Sequence, residues 1–226
     1  MNVYRNFRSR ALPLISAALA VASLGLGPPP AGLSTPLDAR TVVQRMTERN
    51  PSLTSYRARV HVDVRMYSFP FFAPKLDGTS YYERPDFYVV VFDRMPGYAR
   101  GFQRLFNDIG NPRAWEKDQN ITVDGMAWLG DRQTIVLRLT KKIHSDILDH
   151  TLAYVDPSSY ALLQMEWYYT SGGKITMSQQ YRGQGAYSFV SQQHATISIP
   201  HVRAVADATY GDYQTNVSIS TGSSAP

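Results

Sequence analysis

The clearest pattern in the chain is a strict alternation of apolar and polar residues between Tyr56 and Met66. Every even position in these eleven residues carries a Tyr, Ala, Val or Met side chain, and every odd position carries Arg, His or Asp. Because successive side chains of a β-strand point to opposite faces, this pattern predicts one strand with a dry and a wet face. The usual strand has about 5–6 residues, so this length favours a large, strongly curved sheet.

A helical pattern precedes this strand. Thr35 has the features of an N-cap, with Pro36 at the first helical position and Asp38 as an acid in the first turn. Four apolar residues then recur at helical spacing: Ala39, Val42, Val43 and Met46. Asn50-Pro51 ends the pattern, since the residue before a proline avoids the α region. We therefore predict one amphipathic helix before the long strand.

The remainder of the chain is mostly strand. Nine further segments have strand patterns bounded by turn residues: Gly78–Arg84, Phe87–Asp93, Ile121–Leu129, Thr134–Thr140, Thr151–Val155, Leu162–Tyr169, Lys174–Tyr181, Phe189–Ile199 and Ala204–Thr215. Between the third and fourth strands, residues 98–109 have an apolar helical face, and Asn111-Pro112 begins another short helix. The connections after residue 121 are too short for crossover helices, so the sequence predicts a mostly β fold with a single antiparallel sheet and short helices.

The first 31 residues have the layout of a secretory signal peptide. Arg5, Arg8 and Arg10 precede an apolar run from Ala11 to Gly27, and three prolines follow it. The run is shorter than the about 20 residues that a membrane-spanning helix needs. We expect residues 1–31 to be removed on export to the periplasm, with an uncleaved inner-membrane anchor as the alternative. Residues 32–219 then form one domain, and residues 220–226 form a disordered tail.

The composition excludes several classes of function. The chain contains no cysteine, so it has no disulfide, no thiolate metal site and no lipid-modified cysteine. Its formal net charge of +5 falls to +2 without the three arginines of the signal segment, which is too little to indicate a nucleic-acid partner. It also lacks a nucleophile elbow, an H-E-x-x-H helix and a phosphate-binding loop. We therefore expect a protein that is not an enzyme and has no cofactor.

One stretch carries a family resemblance. A strand that begins at a glycine and ends in Arg-Pro followed by aromatic residues, Gly78-Thr-Ser-Tyr-Tyr-Glu-Arg-Pro-Asp-Phe-Tyr88, resembles the LolA-like periplasmic lipoprotein carriers and related outer-membrane lipoprotein-sorting proteins. The order of helix, long strand and Gly-led strand is similar as well, over roughly residues 36–215. This resemblance implies a single curved antiparallel sheet that forms an unclosed half-barrel, covered by short helices that act as a lid. It also implies that Arg84, the arginine of the Arg-Pro pair, helps to lock the lid.

The resemblance also implies a binding site for acyl chains on the concave face of the sheet. The candidate ligand-binding residues are the inward-facing side chains of the long strand and of its neighbours: Tyr56, Val60, Val62, Val64, Met66, Tyr82, Leu137, Leu139, Met165 and Trp167. The candidate lid residues are Phe102, Leu105 and Phe106. The alternative is that these faces form a solid core, in which case the lid residues are ordinary helix packing and Arg84 is a surface charge.

One cluster has side chains that can bind a metal, because two histidines and two aspartates lie between His144 and His150. It falls between two predicted strands, where Asp and Ser are ordinary turn residues, so we predict no metal site there.

Together these patterns predict a periplasmic, non-catalytic protein of the cell envelope that binds or carries the acyl chains of a lipid or lipoprotein. We expect a monomer whose partners include a protein of the inner or outer membrane. The alternative is a periplasmic interaction or sensor protein with a solid core and no lipid cargo.

Overall fold

A computed structural model describes residues 37–69, 72–94, 106 and 109–219 of the chain. This part of the protein contains two helices of seven or more residues and ten strands. The helices are α1 (Ala39–Thr47) and α2 (Pro112–Asp118). The strands are β1 (Ser55–Met66), β2 (Lys75–Glu83), β3 (Phe87–Phe92), β4 (Gln119–Leu129), β5 (Arg132–Lys141), β6 (Leu148–Val155), β7 (Leu162–Tyr169), β8 (Lys174–Gln184), β9 (Tyr187–Ile199) and β10 (Val202–Thr215).

All ten strands belong to one antiparallel sheet. Their order is β3-β2-β1-β10-β9-β8-β7-β6-β5-β4, so that β3 and β4 are the two edges and the sheet is not closed into a barrel. Each neighbouring pair except β1 and β10 is joined by a chain reversal. The predicted fold class, an unclosed half-barrel with short helices, is confirmed.

The alternation in β1 determines which face of the sheet is buried. Ala58, Val60, Val62 and Val64 are buried, whereas Arg57, Arg59 and Arg65 are exposed. The exposed side chains of β1 form ion pairs on the outer face, such as Arg59 with Asp93 at 3.5 Å. The long strand is confirmed with one additional residue at its start.

An irregularity in β10 breaks the alternation at one end of the sheet. Asp212 has a positive φ of 51°, and the pairing of β1 with β10 shifts register between Arg57 and Arg59. Such a bulge places one extra residue in a strand. As a result Tyr210 and Tyr213, three positions apart, are both buried in the same hydrophobic core.

The helix α1 covers part of the inner face. Its Val42, Val43 and Met46 are buried in the core, as their spacing predicted. The helix begins later than predicted: Asp38 is the N-cap, because its carboxylate accepts a hydrogen bond from the backbone N–H of Thr41 at 3.2 Å. The interpretation of Asp38 as a first-turn acid is therefore wrong, and Thr35 and Pro36 lie outside the described residues.

The second helix, α2, begins as the sequence predicts. The Asn111 side chain caps it by accepting a hydrogen bond from the N–H of Ala114 at 3.3 Å, and Pro112 takes the first position. Trp115 anchors α2 in the core, and Lys117 pairs with Asp86 at 2.6 Å in the turn between β2 and β3. Most of the predicted helix at residues 98–109 lies outside the described residues. No helix in the described part of the chain is long and apolar enough to span a bilayer.

Candidate ligand-binding site

A cavity of about 130 Å³ lies between the inner face of the sheet and the two helices. It is at the end of the sheet where β1 and β9 begin and where β2, β8 and β10 end. Of its 23 lining residues, seven are tyrosines: Tyr56, Tyr82, Tyr88, Tyr160, Tyr181, Tyr210 and Tyr213. The apolar part of the wall includes Met46, Leu53, Ile109, Leu162, Phe189 and Val190. Aromatic and aliphatic walls with a few polar groups are typical of small-molecule sites.

Tyr56 is the centre of the aromatic wall. Its ring stacks on that of Tyr82, with 5.3 Å between centroids, and meets Tyr213 and Phe189 edge-on at 5.3 and 5.5 Å. Phe189 and Tyr213 stack on each other at 4.2 Å. Such pairs contribute about 0.5–1.5 kcal/mol each beyond the burial of their area. The rings therefore form a rigid wall that spans β2, β1, β10 and β9.

A chain of hydrogen bonds runs beneath the aromatic wall. The Tyr210 hydroxyl donates to Oε1 of Gln193 at 2.7 Å, and Nε2 of Gln193 donates to Oε1 of Gln179 at 2.9 Å. Nε2 of Gln179 donates to the Leu162 carbonyl at 2.8 Å, and the Tyr181 hydroxyl donates to the same carbonyl at 3.0 Å. Because buried polar groups are costly without partners, this fully connected chain fixes the floor of the cavity across four adjacent strands.

Several tyrosine hydroxyls at the cavity have a raised pKa and are neutral at physiological pH. Burial raises the pKa of Tyr56, Tyr88 and Tyr210 above its ordinary value, and it raises the pKa of Tyr181 to about 12. Burial disfavours the phenolate because the charged form loses its hydration. The tyrosines thus offer hydrogen bonds and ring faces to a ligand, but no negative charge.

Among the described residues that line the cavity, Arg49 is the one with a charged side chain. Its guanidinium lies over the ring of Tyr181, 4.2 Å from the centroid, and Nη2 donates to Oγ of Ser188 at 3.2 Å. The next residue, Asn50, holds the chain after α1 on β9. Its amide accepts from the N–H of Ser188 and donates to the carbonyl of Ser188, both at 3.0 Å. The position of Arg49 is therefore set by a paired backbone contact.

Gly110 permits a close approach between the segment before α2 and β3. A Cβ atom at this position would overlap the ring of Tyr88, so that any other residue would displace that ring from the cavity wall. The cavity therefore has its present shape only because residue 110 is a glycine and has no side chain.

The structure divides the predicted ligand-binding residues into two groups. Tyr56 and Tyr82 line the cavity. The others lie further along the inner face and do not line it. Six of them are almost completely buried in the hydrophobic core: Val60, Val62, Leu137, Leu139, Met165 and Trp167. Val64 is also buried, and Met66 is partly buried against the same core.

The predicted lid residues are described only in part. Phe106 is buried in the core, and its ring meets that of Phe92 on β3 edge-on, with 5.9 Å between centroids. Phe102 and Leu105 lie outside the described residues. Arg84, the predicted lock, donates from its guanidinium to the Asn50 carbonyl at 2.7 Å. It therefore contacts the segment that connects α1 to the sheet.

The sequence reasoning missed the polar part of the cavity, although the pattern contained a signal for it. Gln179 follows Ile175 and Met177 at inward positions of β8, and Gln193 precedes Ala195 and Ile197 at inward positions of β9. A glutamine where the alternation requires an apolar residue indicates a buried polar group with a specific partner.

The residues between His144 and His150 do not gather around one point. His144 contacts Asp146 at 3.3 Å, whereas His150 contacts Asp149 and stacks on Tyr168 with 4.5 Å between ring centroids. Among the described residues, no group of three or more His, Asp or Glu side chains is arranged to hold a metal ion.

Comparisons with known proteins concern the fold. The chain matches no protein-family model and no curated protein sequence. Among solved structures it is similar to a LolA superfamily protein from Nitrosomonas europaea, with a TM-score of 0.61, 14% identity, and coverage of 81% of this chain and 96% of that one. A DUF1329 family protein from Desulfovibrio piger matches with a TM-score of 0.60 and 9% identity, over 81% of this chain and 95% of that one.

A third similar structure is a putative outer membrane lipoprotein-sorting protein domain from Vibrio parahaemolyticus. Its TM-score is 0.60 at 11% identity, and the match covers 80% of this chain and 93% of that domain. At these identities the likeness concerns the backbone arrangement. The resemblance that the Gly78–Tyr88 stretch carries is confirmed at that level: this chain has the LolA-like fold.

Proposed function

We propose that this protein is a non-catalytic, periplasmic binding protein that shelters the acyl chain of a lipid or lipoprotein between its sheet and its helices. The observation that carries the proposal is the tyrosine-lined cavity between the inner face of an unclosed sheet and α1. A closed barrel fixes its interior volume, whereas an open sheet covered by short helices can widen when a helix moves. The LolA-like fold of the chain supports the same function.

The small volume of the cavity means that it must widen before a whole acyl chain can bind. Ligand pockets commonly have about 300–1,000 Å³, and the present cavity has about 130 Å³. We therefore assign the described state to a closed form, in which only a small part of an acyl chain fits. Binding moves α1 and its following segment away from the sheet, and each methylene then buried contributes about 0.8 kcal/mol.

The contacts at the cavity mouth suit such a movement. The segment after α1 is held by separate hydrogen bonds and not by a continuous ladder; they include those from Arg84, those between Asn50 and Ser188, and those from Thr54 to Asn216. Breaking these hydrogen bonds costs about 1 kcal/mol each, and uncovering the buried Val42, Val43 and Met46 of α1 costs about 1.5–3 kcal/mol each, so many methylenes of the acyl chain must be buried to offset the movement. In this proposal Val60, Val62 and the other core residues become the floor of the widened cavity, and Phe102, Leu105 and Phe106 belong to the lid.

Export and release complete the proposal. Residues 1–31 act as the signal that takes the chain to the periplasm, where residues 32–219 act as a monomer. Release of a sheltered chain requires a partner that binds the open form more tightly than the closed one, and a protein of the inner or outer membrane fits this role.

Native mass spectrometry tests the function directly. The full chain is expressed in a bacterium, purified from the periplasm without detergent and measured before and after lipid extraction. A co-purifying lipid or acylated protein is the expected result. A bare mass that does not change when phospholipid or lysophospholipid is added would contradict the proposal and favour an interaction protein with a solid core.

A further inference from the structure

We infer that the ligand of the tyrosine-lined cavity carries an anionic group, a phosphate or carboxylate, which binds to Arg49. This inference rests on the proposed function and names the chemical class of the amphiphile. It begins from the charge of the cavity lining: in the part of it that the structure describes, one guanidinium is accompanied by neutral tyrosine, asparagine and glutamine side chains and by no acid.

Arg49 has no anionic partner among the described residues. The ion pairs of that part of the chain join other basic residues to carboxylates, and none involves Arg49. A guanidinium has five N–H donors, and the described hydrogen bond of Arg49 to Ser188 uses one of them. A partly buried arginine with unused donors pairs readily with a phosphate or carboxylate, often through two parallel hydrogen bonds.

The surroundings of Arg49 hold it ready for an anion. Stacking on the Tyr181 ring and the hydrogen bond to Ser188 orient the guanidinium, so that little side-chain freedom is lost when an anion binds. The tyrosine hydroxyls retain their protons, since burial raises the pKa of Tyr181 and of Tyr210, so that neither forms a phenolate that would compete with a ligand anion for Arg49.

The neighbouring surface has the same sign of charge. A groove beside the cavity, which shares Thr47 and Pro85 with it, is lined by Arg40, Arg84 and Arg113 and by the two acids Glu48 and Glu116. Counted over their described residues, the cavity and this groove together have four arginines and two glutamates. The positive charge of this groove attracts an anionic headgroup, while the acyl chain packs against the apolar wall of the cavity.

The test compares ligands with the same twelve-carbon chain. Binding of dodecyl phosphate, dodecanoate and dodecyl maltoside to the full chain purified from the periplasm is measured by tyrosine and tryptophan fluorescence or by calorimetry. Inorganic phosphate and acetate are the probes without a chain. We expect both anionic amphiphiles to bind at least about tenfold more tightly than the maltoside, and more tightly than the free anions.

Variants locate the effect. Arg49→Met is expected to weaken dodecyl phosphate binding about tenfold and to leave maltoside binding within about twofold, whereas Arg49→Lys recovers part of the loss. Arg45→Met is the matched control, because Arg45 lies on the exposed side of α1, four residues before Arg49, and does not line the cavity. Circular dichroism checks that each variant is folded.

The outcomes separate the inference from the proposed function. Equal binding of phosphate and maltoside amphiphiles by the unmodified protein overturns the anionic specificity and leaves acyl-chain binding intact. Binding of inorganic phosphate as tight as that of dodecyl phosphate identifies a free anion as the ligand and overturns the inference. No binding of any amphiphile overturns both proposals.

Discussion

Arg84, in the turn between β2 and β3, donates a hydrogen bond of 2.7 Å from its guanidinium to the backbone carbonyl of Asn50. The backbone N–H of Arg84 also donates to the carbonyl of Thr54 at 2.8 Å, so this one residue contacts the chain between α1 and β1 at two points. The first contact depends on the side chain, and a substitution can remove it while the second remains. Substitution of Arg84 therefore tests whether its side-chain hydrogen bond keeps the cavity closed.

We expect Arg84→Ala to destabilise the folded protein by about 1 kcal/mol and to accelerate release of a bound lipid, because the Asn50 carbonyl loses a charged donor. Stopped-flow displacement of a fluorescent fatty acid measures the release rate, and urea unfolding measures stability. The control is Arg132→Ala, which replaces an exposed arginine at the start of β5. Release rates that are the same in both variants would remove Arg84 from the lock.

A second prediction concerns the cavity itself. Val190→Phe places extra volume into the cavity and is expected to abolish lipid binding, while the free energy of unfolding changes by about 1–3 kcal/mol. Val190→Ala, which enlarges the same space, should retain binding. Fluorescence titration with a fatty acid checks both variants. Binding by Val190→Phe at unchanged affinity would place the ligand elsewhere.

A substitution in the middle of the sheet is expected to affect folding. Val62 is 1% exposed, so Val62→Glu buries an unpaired carboxylate and is expected to prevent folding. Arg57→Glu introduces the same side chain on the exposed face of the same strand and should leave the fold intact. Circular dichroism and soluble yield report the outcome. A folded Val62→Glu protein would indicate that the cavity extends to Val62.

The hydrogen-bonded floor gives a prediction about stability. Tyr210→Phe leaves Oε1 of Gln193 without its donor, and we expect a loss of about 1–2 kcal/mol in the free energy of unfolding. Tyr67→Phe serves as the comparison, because Tyr67 is 62% exposed. Equal stability of the two variants in urea would mean that the floor does not depend on this hydrogen bond.

A buried carboxylate on the opposite face of β7 makes stability dependent on pH. Glu166 accepts hydrogen bonds from the Tyr168 hydroxyl at 2.6 Å and from Nζ of Lys174 at 3.1 Å. Burial raises the pKa of Glu166, but these donors lower it by more, and the net pKa is below the ordinary value. The Glu166 carboxylate therefore becomes protonated at a higher pH in the unfolded chain than in the folded chain.

From this sign it follows that Glu166 stabilises the fold fully above pH about 5 and loses that contribution as the pH falls below about 4. Urea unfolding between pH 3 and pH 6 should show a weaker pH dependence for Glu166→Gln than for the unmodified protein. Glu116→Gln, at an exposed position of α2, is the control. Identical pH profiles in the two variants would contradict the prediction.

Most strands of the sheet could be predicted from the sequence, because the alternation of apolar and polar residues shows which side of a strand is buried. The stretch from Tyr56 to Met66 predicted β1 almost to the residue, and the turn at Arg84-Pro85 separated β2 from β3 as expected. Pairing across the sheet was less accessible. Nothing in the local pattern of β1 indicates that its second neighbour is β10, since that choice depends on the arrangement of all ten strands.

The cavity was harder to predict than the sheet. The alternation shows that Tyr56 and Val62 face the same side, but it does not show that Val62 is closely packed in the core while space remains beside Tyr56. The bulge at Asp212, which turns Tyr213 inward, also has no simple sequence signal. Where a ligand site depends on such departures from regular geometry, periodicity gives the correct face and not the correct position along it.

The position of β1 between β2 and β10 has a consequence for the assembly of the chain. Val60 lies opposite Tyr210, which is made about 150 residues later. Joining segments so far apart requires closing a long loop, and such contacts slow folding. The first three strands therefore have no partner for β1 on its second side until β10 is available. A chain shortened before Val202 would leave them as a separate meander with an unpaired edge.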